Sequence, residues 1–315
     1  MSRFEALQSL DLAVLFGGTS GERPVSVASA KTVIGGLEAA GYQPRAIDTG
    51  DVAWWRELEG IDLAFNIQHG GAGEDGTTQG LLDSLGIVGT GSGVLGSALA
   101  MDKVRCKRLW LSAGLPTADF EIVDPASDLS ALIDAWGEVF IKPAREGSSL
   151  GMTRVCDPQD GHDAIVAAMA HDAVVIAEAF IAGPEYTVAI LGDRTLPPIR
   201  IEAANTFYDY DAKYEAGTTR YHVPAGLEPE AERALCSLAM EAFAAIDAAV
   251  WGRVDVMRDA QGDFYLLEVN TVPGMTEHSL VPMAAEAAGM NVPTLVEEIL
   301  WLSWTRAHGS AEVDL

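Results

Sequence analysis

Two apolar segments near the C-terminal end carry charged residues at every second position, and a short polar stretch separates them. They are Gly252-Arg-Val-Asp-Val256 and Leu266-Leu-Glu-Val-Asn270, on either side of Asp259-Ala-Gln-Gly262. Alternation with a period of two on both sides of a turn is typical of a β-hairpin. The sequence therefore predicts a hairpin with one acidic face in this part of the chain.

Pairing across that turn places Arg253 opposite Glu268 and Asp255 opposite Leu266. Glu268 and Asn270 differ by two positions and share a face, on which Asp255 lies diagonally across from Glu268. Two carboxylates and a carboxamide beside an arginine suit a hard cation such as Mg²⁺, which commonly also binds phosphate. Arg253 would then stabilise an anion formed near the metal. The alternative is a salt-bridged strand pair on a solvated surface.

Earlier in the chain, short apolar strands end in glycine-rich loops that lead into helices. This order occurs twice and is the pattern of parallel α/β layers, in which ligands collect at the carboxyl ends of the strands. The first loop has the spacing of neither a dinucleotide-binding nor a Walker-type motif. The predicted elements are strands 12–16 and 63–67, loops Gly17–Gly21 and His69–Gly76, and helices 26–40 and 77–85.

A loop in the middle of the chain has the composition of a phosphate-binding loop. Asp102 is expected to cap a helix, and the apolar strand Val139–Lys142 then precedes the loop Arg145–Gly151. Backbone N–H groups and serine hydroxyls of such a loop can cover a triphosphate while Lys142 neutralises its charge. Read alone, the loop is equally compatible with a surface turn, and Lys103 with a solvated helix residue.

The net charge of −26 over 315 residues disfavours nucleic acids and anionic membranes as partners. No apolar run approaches the roughly 20 residues of a membrane helix, and the N-terminus does not have the apolar core and cleavage site of a signal peptide. Three widely spaced cysteines form no metal-ligand pattern. We therefore expect a cytoplasmic, globular protein that binds neither nucleic acid nor membrane.

Several motifs follow one another along nearly the whole chain. They are Gly17–Ser26, His69–Gly76, Gly91–Val94, Met101–Lys103, Lys142–Ser149, Phe207–Tyr214, Gly252–Asp255 and Glu268–Thr276. In this order they resemble the motifs of ATP-grasp ligases and, within them, of the D-alanine–D-alanine ligase family. Spaced motifs in the same order are far more specific than any one of them.

The resemblance implies a three-domain ATP-grasp fold of the α/β class, α+β in parts, with ATP held between the middle and last domains. The expected domains are an N-terminal parallel-sheet substrate domain (1–98), a central subdomain (99–183), a C-terminal subdomain (184–306) and a flexible tail (307–315). The C-terminal subdomain would contain the metal hairpin and an active-site loop, residues 205–221.

The resemblance also implies the nucleotide site. Asp255, Glu268 and Asn270 would hold two Mg²⁺ ions, with Mn²⁺ as a possible substitute. ATP would be bound by Lys103, Lys142, Glu146, Ser149, Glu178, Phe180, Ile181 and Glu185.

Within this set, the two lysines would contact the phosphates, and Glu178 and Glu185 would lie at the adenine and ribose end. Phe180 and Ile181 would line the pocket for the base. Many relatives carry a lysine after the residue that matches Glu178, where this chain has Ala179.

The implied catalytic residues are Glu22, Ser148, Lys213, Tyr214 and Arg253, and the implied substrate-binding residues are His69, Gly274, Ser279 and Leu280. Glu22 would bind the ammonium group of the first D-alanine and form a hydrogen-bonded triad with Ser148 and Tyr214. Lys213 would close over the transferred phosphoryl group. A lone histidine in a glycine-rich loop is more often structural, which is the alternative for His69.

By resemblance, the chain would join two D-alanines through an acyl phosphate, for peptidoglycan synthesis, and would form a homodimer. Tyr214 matches the position that marks dipeptide-forming enzymes, which favours D-alanine over D-lactate as the acceptor. Two alternatives stay open: another ATP-grasp carboxylate–amine ligase, and a catalytically inactive nucleotide-binding regulator.

Overall fold

The computed structural model describes residues 3–147, 150–202 and 219–309. The N-terminal elements are α1 (Arg3–Leu7), β1 (Leu12–Phe16), α2 (Arg23–Ala39), β2 (Arg45–Asp48), β3 (Leu63–Asn66), α3 (Thr77–Leu85) and β4 (Val88–Gly89), with a 3-10 turn at Trp54–Leu58 and another at Gly71–Gly73. The strands form a parallel sheet in the order β2-β1-β3-β4. This confirms the predicted parallel α/β layering.

The strand β1 is apolar throughout because helices cover both faces of this sheet. Val14 and Leu15 belong to apolar clusters on opposite faces, and both are fully buried. Gly17 follows with a φ of 83°, and a Cβ there would lie only 2.2 Å from Asp48 Oδ1. The chain can therefore turn over the carboxyl edge of the sheet here only with glycine.

The second sheet is antiparallel and presents one polar face. Its region contains α4 (Val94–Met101), α5 (Lys103–Ser112), β5 (Phe120–Val123), α6 (Ser130–Trp136), β6 (Val139–Pro143), β7 (Thr153–Val155), a 3-10 turn (Pro158–Asp160), α7 (Gly161–Met169) and β8 (Val175–Ala179). The strand order is β5-β8-β6-β7. Val139 and Ile141 of β6 pack into the apolar cluster beneath α7. Alternation then places Phe140 and Lys142 on the other face.

The third sheet carries the hairpin. Its elements are β9 (Glu185–Leu191), β10 (Arg194–Thr195), β11 (Ile199–Glu202), β12 (Arg220–His222), α8 (Pro229–Ala245), β13 (Trp251–Arg258) and β14 (Phe264–Asn270). The strands pair antiparallel in the order β12-β11-β9-β13-β14, and β10 pairs with β9. Antiparallel sheets after a parallel one match the expected α/β fold with α+β parts.

Two further helices, α9 (Leu280–Ala287) and α10 (Val292–His308), are the last elements of the described part of the chain. The helix α10 packs against α2 beside the first sheet. Because α10 runs through His308, residues 307 and 308 are helical and do not belong to the predicted flexible tail. Among the described residues, no helix is both long enough and apolar enough to cross a membrane.

The predicted pairing of the hairpin strands is wrong. Asp255 lies opposite Glu268, and Arg253 lies opposite Asn270. The register shifts between Asp255 and Val256, because Leu267 is an extra residue on β14, a β-bulge. The loop between the strands is also one residue longer than the predicted turn, since Arg258 pairs with Phe264.

This bulge determines which residues of β14 face the cleft. Leu266 and Val269 are both buried in the same apolar cluster, although they are three positions apart. Strict alternation would place Glu268 on the same face as Leu266, in that core. The extra residue moves Glu268 and Asn270 to the opposite face, so the predicted acidic face is confirmed although its register was wrong.

Two adjacent glycines of α2 test the packing of α10. A Cβ on Gly36 would lie 2.9 Å from Val292 Cγ1, whereas a Cβ on Gly35 would meet nothing within 4 Å. Gly35→Ala should stabilise the protein by about 0.5–1 kcal/mol, because alanine is the better helix former. Gly36→Ala should be less stable than Gly35→Ala by about 1–3 kcal/mol, because it overpacks the contact. Urea unfolding measures both, and equal stabilities would contradict the close contact between α2 and α10.

Candidate active site

The hairpin brings four polar side chains together on one face. Arg253 donates from Nε to Asp255 Oδ1 and from Nη2 to Asp255 Oδ2, both at 2.8 Å. Asp255 also accepts from Thr187 Oγ1 at 2.6 Å and from Asn270 Nδ2 at 3.1 Å. Glu268 lies directly opposite Asp255. The predicted constellation is therefore present, and it is closer together than the predicted diagonal pairing implied.

The donor set fits a hard cation. Asp255 is only 3% exposed, so the alternative of a salt-bridged pair on a solvated surface is excluded. Among the described residues, no group of three His, Cys, Asp or Glu side chains could hold a metal ion. The candidate ligands here are instead two carboxylates, those of Asp255 and Glu268, and the carboxamide of Asn270. Oxygen ligands of this kind are those that Mg²⁺ prefers.

Lys103, the first residue of α5, connects the hairpin to the loop after Lys142. Its Nζ lies 3.3 Å from Glu268 Oε2 and donates to the Glu146 carbonyl oxygen at 2.7 Å. Its backbone N–H donates to the Ala144 carbonyl oxygen at 3.0 Å. The side chain is 13% exposed, so Lys103 is not the solvated helix residue of the alternative interpretation.

The start of α5 is held as predicted. Asp102 Oδ1 accepts from the backbone N–H of Arg105 at 2.9 Å, which confirms Asp102 as the helix cap. The Glu146 side chain lines the adjoining cavity, and partial burial raises the pKa of its carboxyl.

The polar face of the second sheet contains a buried cluster of charges. Glu178 of β8 accepts from Lys142 Nζ at 2.5 Å through Oε1, and its Oε2 lies 2.6 Å from Lys107 Nζ. Burial alone would raise the pKa of Glu178, but attraction to Lys107 and then Lys142 outweighs it and lowers that pKa. Burial lowers the pKa of Lys107, opposed by Glu178. Glu178 thus contacts the phosphate-loop lysine, and its predicted position at the adenine end stays a prediction.

Sequence reasoning missed Lys107. The scarcity of lysine could have drawn attention to it, because the chain contains only five lysines (Lys31, Lys103, Lys107, Lys142 and Lys213). Lys107 also follows Lys103 by four positions, so both lie on one face of α5. A helical lysine is usually solvated, and nothing in the sequence indicates that this one is 0% exposed.

The aromatic end of this face is built from Phe180 and its neighbours. The rings of Phe140 and Phe180 meet edge to face with centroids 5.5 Å apart, and the Arg154 guanidinium lies 4.2 Å over the Phe180 ring. Ile181 and Glu185 are half-buried just beyond. These contacts place Phe180 at the end of the second sheet, beside Phe140 of β6, whereas Glu185 begins β9 of the third sheet. The contact of these residues with adenine stays a prediction.

Glu22 faces the same region from the first sheet. It precedes α2, and its carboxylate lies close to the backbone of Gly70 and Gly147, where an added Cβ would meet Glu22 Oε2 at 2.7 and 3.2 Å. Glu22, Gly70, Glu146 and neighbouring residues line a cavity of about 730 Å³. The structure thus brings Glu22 to the loop that precedes Ser148.

His69 is buried, and both of its ring nitrogens have protein partners. Nδ1 lies 2.9 Å from the Val272 carbonyl oxygen, which only accepts, and Nε2 lies 3.1 Å from Ser29 Oγ. Ser29 Oγ also accepts from the Met275 backbone N–H at 3.0 Å. His69 therefore joins the first sheet to the turn that contains Gly274. This favours the structural alternative for His69.

The turn around Gly274 is compact. Ser279 Oγ accepts from the Thr276 backbone N–H at 2.9 Å, and a Cβ on Gly274 would meet that oxygen at 2.8 Å. Leu280 is the first residue of α9, and its side chain is buried in the core. Any ligand contact of Leu280 would therefore involve the backbone at the start of the helix.

Four predicted site residues lie outside the described residues: Ser148, Ser149, Lys213 and Tyr214. Most of the predicted loop 205–221 lies outside them as well. Their roles stay predictions.

Known proteins of similar sequence are ligases of one family. A family model described as D-ala D-ala ligase C-terminus matches residues 109–301. A D-alanine–D-alanine ligase of Halorhodospira halophila is 53% identical over 290 residues, which cover 92% of this chain and 94% of the relative. The chain belongs to the D-alanine–D-alanine ligase family.

Solved members of the D-alanine–D-alanine ligase family share the fold. The crystal structure of the ligase from Bacillus anthracis has a TM-score of 0.85 and 33% identity, and covers 96% of this chain and 100% of its own. The same ligase complexed with ATP has a TM-score of 0.84 and 30% identity, with the same coverage. The expected ATP-grasp fold is thereby confirmed.

The buried cluster predicts a strong dependence of stability on Glu178. Glu178→Gln should lower the free energy of unfolding by about 3–5 kcal/mol at pH 7, because two buried ammonium groups lose their carboxylate. The folded-state pKa of Glu178 lies below its ordinary value of 4.5. Above pH 4.5 the ionised carboxylate therefore contributes its full stabilisation to the folded protein. Its contribution is lost as the pH falls through the lower folded-state pKa, and the difference between variant and wild type should shrink there.

The matched control is Glu138→Gln, which breaks the partly exposed pair with Arg154 and should cost less than about 1 kcal/mol. Urea unfolding at pH 7 and in acid measures both variants. Equal losses for the two variants at pH 7 would contradict the buried cluster.

Proposed function

We propose that this chain uses ATP to join two molecules of D-alanine into D-alanyl-D-alanine, for peptidoglycan precursor synthesis. The observation that carries the proposal is the contact of Lys103 with both Glu268 and the Glu146 carbonyl. This contact holds the hairpin carboxylates next to the loop that follows Lys142, so that the hairpin and this loop line one cleft. Phosphoryl transfer depends on such positioning and charge neutralisation. The kinship with D-alanine–D-alanine ligases supports the substrate class.

In this proposal ATP lies between the second and third sheets. Lys103 and Lys142 contact its phosphates, and the aromatic end of the second sheet receives the base. The cation ligands are Asp255, Glu268 and Asn270. Mg²⁺, or Mn²⁺ in its place, supplies charge neutralisation at the phosphate oxygens when bound.

The first D-alanine must be activated, because a carboxylate is a poor electrophile. One of its carboxylate oxygens attacks the γ-phosphorus, the bond to ADP breaks, and an acyl phosphate forms. The deprotonated amino group of the second D-alanine then attacks the acyl carbon. The carbon–oxygen bond to the phosphate breaks, and the dipeptide, ADP and phosphate are released.

Arg253 is proposed to stabilise the oxyanion of the second step, together with the backbone N–H of Gly274. Its guanidinium is held by two hydrogen bonds to Asp255. A cation already oriented in this way need not reorganise when negative charge develops.

The two substrates are proposed to bind at the junction of the first and third sheets. Glu22 attracts the ammonium group of the first D-alanine. The carboxylate of the second lies at the start of α9, at Ser279 and Leu280, where helix N–H groups bind anions. His69 supports this junction from beneath by orienting the Val272–Met275 turn.

The residues outside the described part of the chain complete the proposal. Ser148 and Tyr214 join Glu22, Ser149 binds ATP, and Lys213 covers the transferred phosphoryl group. Because Tyr214 stands at the position of dipeptide-forming enzymes, D-alanine and not D-lactate is the acceptor. We also propose that the protein is a cytoplasmic homodimer.

The proposal predicts that purified protein releases phosphate from ATP in the presence of Mg²⁺ and D-alanine, and far less with L-alanine. D-Serine and D-lactate serve as competing acceptors in the same assay, and mass spectrometry identifies the product. No stimulation by D-alanine would reject the function, and preferred ester formation with D-lactate would reject the acceptor.

Arg253→Met is the control within the site. It removes the guanidinium group, keeps an unbranched stem and should fold, as circular dichroism can check. Turnover should fall by about 10²–10³, the effect of losing one donor to an oxyanion. Wild-type turnover by this variant would contradict the role of Arg253.

A further inference from the structure

Lys107 is a completely buried lysine beneath the proposed nucleotide cleft. Its Nζ donates to Thr117 Oγ1 at 2.5 Å and to the Ala118 carbonyl oxygen at 3.2 Å, and lies 2.6 Å from Glu178 Oε2. Two of the three N–H donors of the ammonium group are used by Thr117 and Ala118, and the contact with Glu178 is an ion pair. Lys107 is therefore held as a cation in the protein interior, with 0% of its side chain exposed.

Glu178 divides its two oxygens between two lysines. Oε1 contacts Lys142 Nζ at 2.5 Å, and Oε2 contacts Lys107 Nζ at 2.6 Å. Two positive charges therefore share one negative charge. Lys142 is the more accessible lysine, with 11% of its side chain exposed, so the excess positive charge faces the cleft at Lys142.

Two carboxylates of the hairpin lie beside basic side chains other than Lys142. The pairs are Arg253 with Asp255 and Lys103 with Glu268. The group formed by Lys142, Glu178 and Lys107 therefore contains one more cation than anions. An anion such as a phosphate group is attracted to this excess charge.

We propose that Lys107 is a positioning residue that occupies one oxygen of Glu178 and so keeps the charge of Lys142 available to the phosphates of a nucleotide. Without Lys107, Glu178 and Lys142 would form a neutral, closed pair that competes with the phosphates. The inference rests on the proposed function for the identity of the ligand as a nucleoside triphosphate.

A purely structural role makes a different prediction. Lys107 also connects α5 to the third sheet, because Thr117 Oγ1 accepts from Lys107 and donates to the Leu266 carbonyl oxygen at 2.7 Å. If this connection were all that mattered, breaking it at Thr117 would weaken nucleotide binding as much as removing Lys107.

The test is calorimetric titration of the full-length protein with ADP and Mg²⁺, in the absence of D-alanine. Lys107→Met should weaken binding about tenfold, a usual size for coupling between neighbouring groups. In steady-state assays the KM for ATP should rise in parallel. The KM for D-alanine should stay within about twofold, because that site lies away from the cluster.

Two further variants separate charge sharing from structure. Lys107→Met combined with Glu178→Gln should bind ADP within about threefold of Glu178→Gln alone, because no carboxylate remains for Lys107 to draw away from Lys142. Thr117→Val keeps every charge and removes the hydroxyl connection, and it should bind ADP within about twofold of wild type.

Unchanged affinity in Lys107→Met would overturn the proposal, as would a roughly tenfold loss between Glu178→Gln and the double variant or an equal loss in Thr117→Val. If Lys107→Met does not fold, the comparison of the double variant with Glu178→Gln decides: affinities within about threefold of each other support charge sharing, and a roughly tenfold loss refutes it. ADP binding does not require turnover. Wild-type protein that binds ADP but does not respond to D-alanine would refute the proposed function and leave this inference standing.

Discussion

The cleft depends on the position of Lys103. This single side chain contacts Glu268 on the hairpin and the Glu146 carbonyl on the loop after Lys142. Its backbone N–H adds a hydrogen bond to Ala144. Two sheets that share no strand are thus brought together at the start of one helix, whose first turn is held by Asp102. The phosphate contacts proposed for Lys103 and Lys142 lie at this junction.

Charge pairing explains why so many ionisable groups are buried there. Breaking one partner of a buried pair typically costs about 3–5 kcal/mol, because the remaining charge is left desolvated. A carboxylate buried in the cleft therefore requires a basic partner in the unliganded protein. Arg253 is the partner of Asp255, and Lys107 and Lys142 are the partners of Glu178. In such a cleft the protein is stable without ligand and still attracts phosphate.

The sequence predicts much of this arrangement because its patterns are local. The apolar runs, the glycine-rich loops and the Asp102 cap identify strands, turns and a helix start, and the structure confirms them. The acidic face of the hairpin follows from alternation. Its register does not, because the bulge at Leu267 depends on how Leu266 and Val269 pack against the core.

Other features depend on contacts between residues distant in sequence. Lys107 resembles any helical lysine until Glu178 and Thr117 are brought to it, and His69 resembles a loop ligand until Val272 and Ser29 occupy its ring. Pairings across different sheets leave no periodic signal in the chain. The motifs that resemble a known family identified that family correctly, which no local pattern does.

The most direct test of the central claim is a crystal structure of the protein with Mg²⁺, ATP and a non-reactive phosphinate analogue of the dipeptide intermediate. We expect the phosphates to lie between Lys142 and the hairpin, with Mg²⁺ on Asp255, Glu268 and Asn270 and the analogue between Glu22 and the start of α9. Nucleotide bound away from Lys103 and Lys142, or metal bound without the hairpin carboxylates, would contradict the claim that these two sheets form one catalytic cleft.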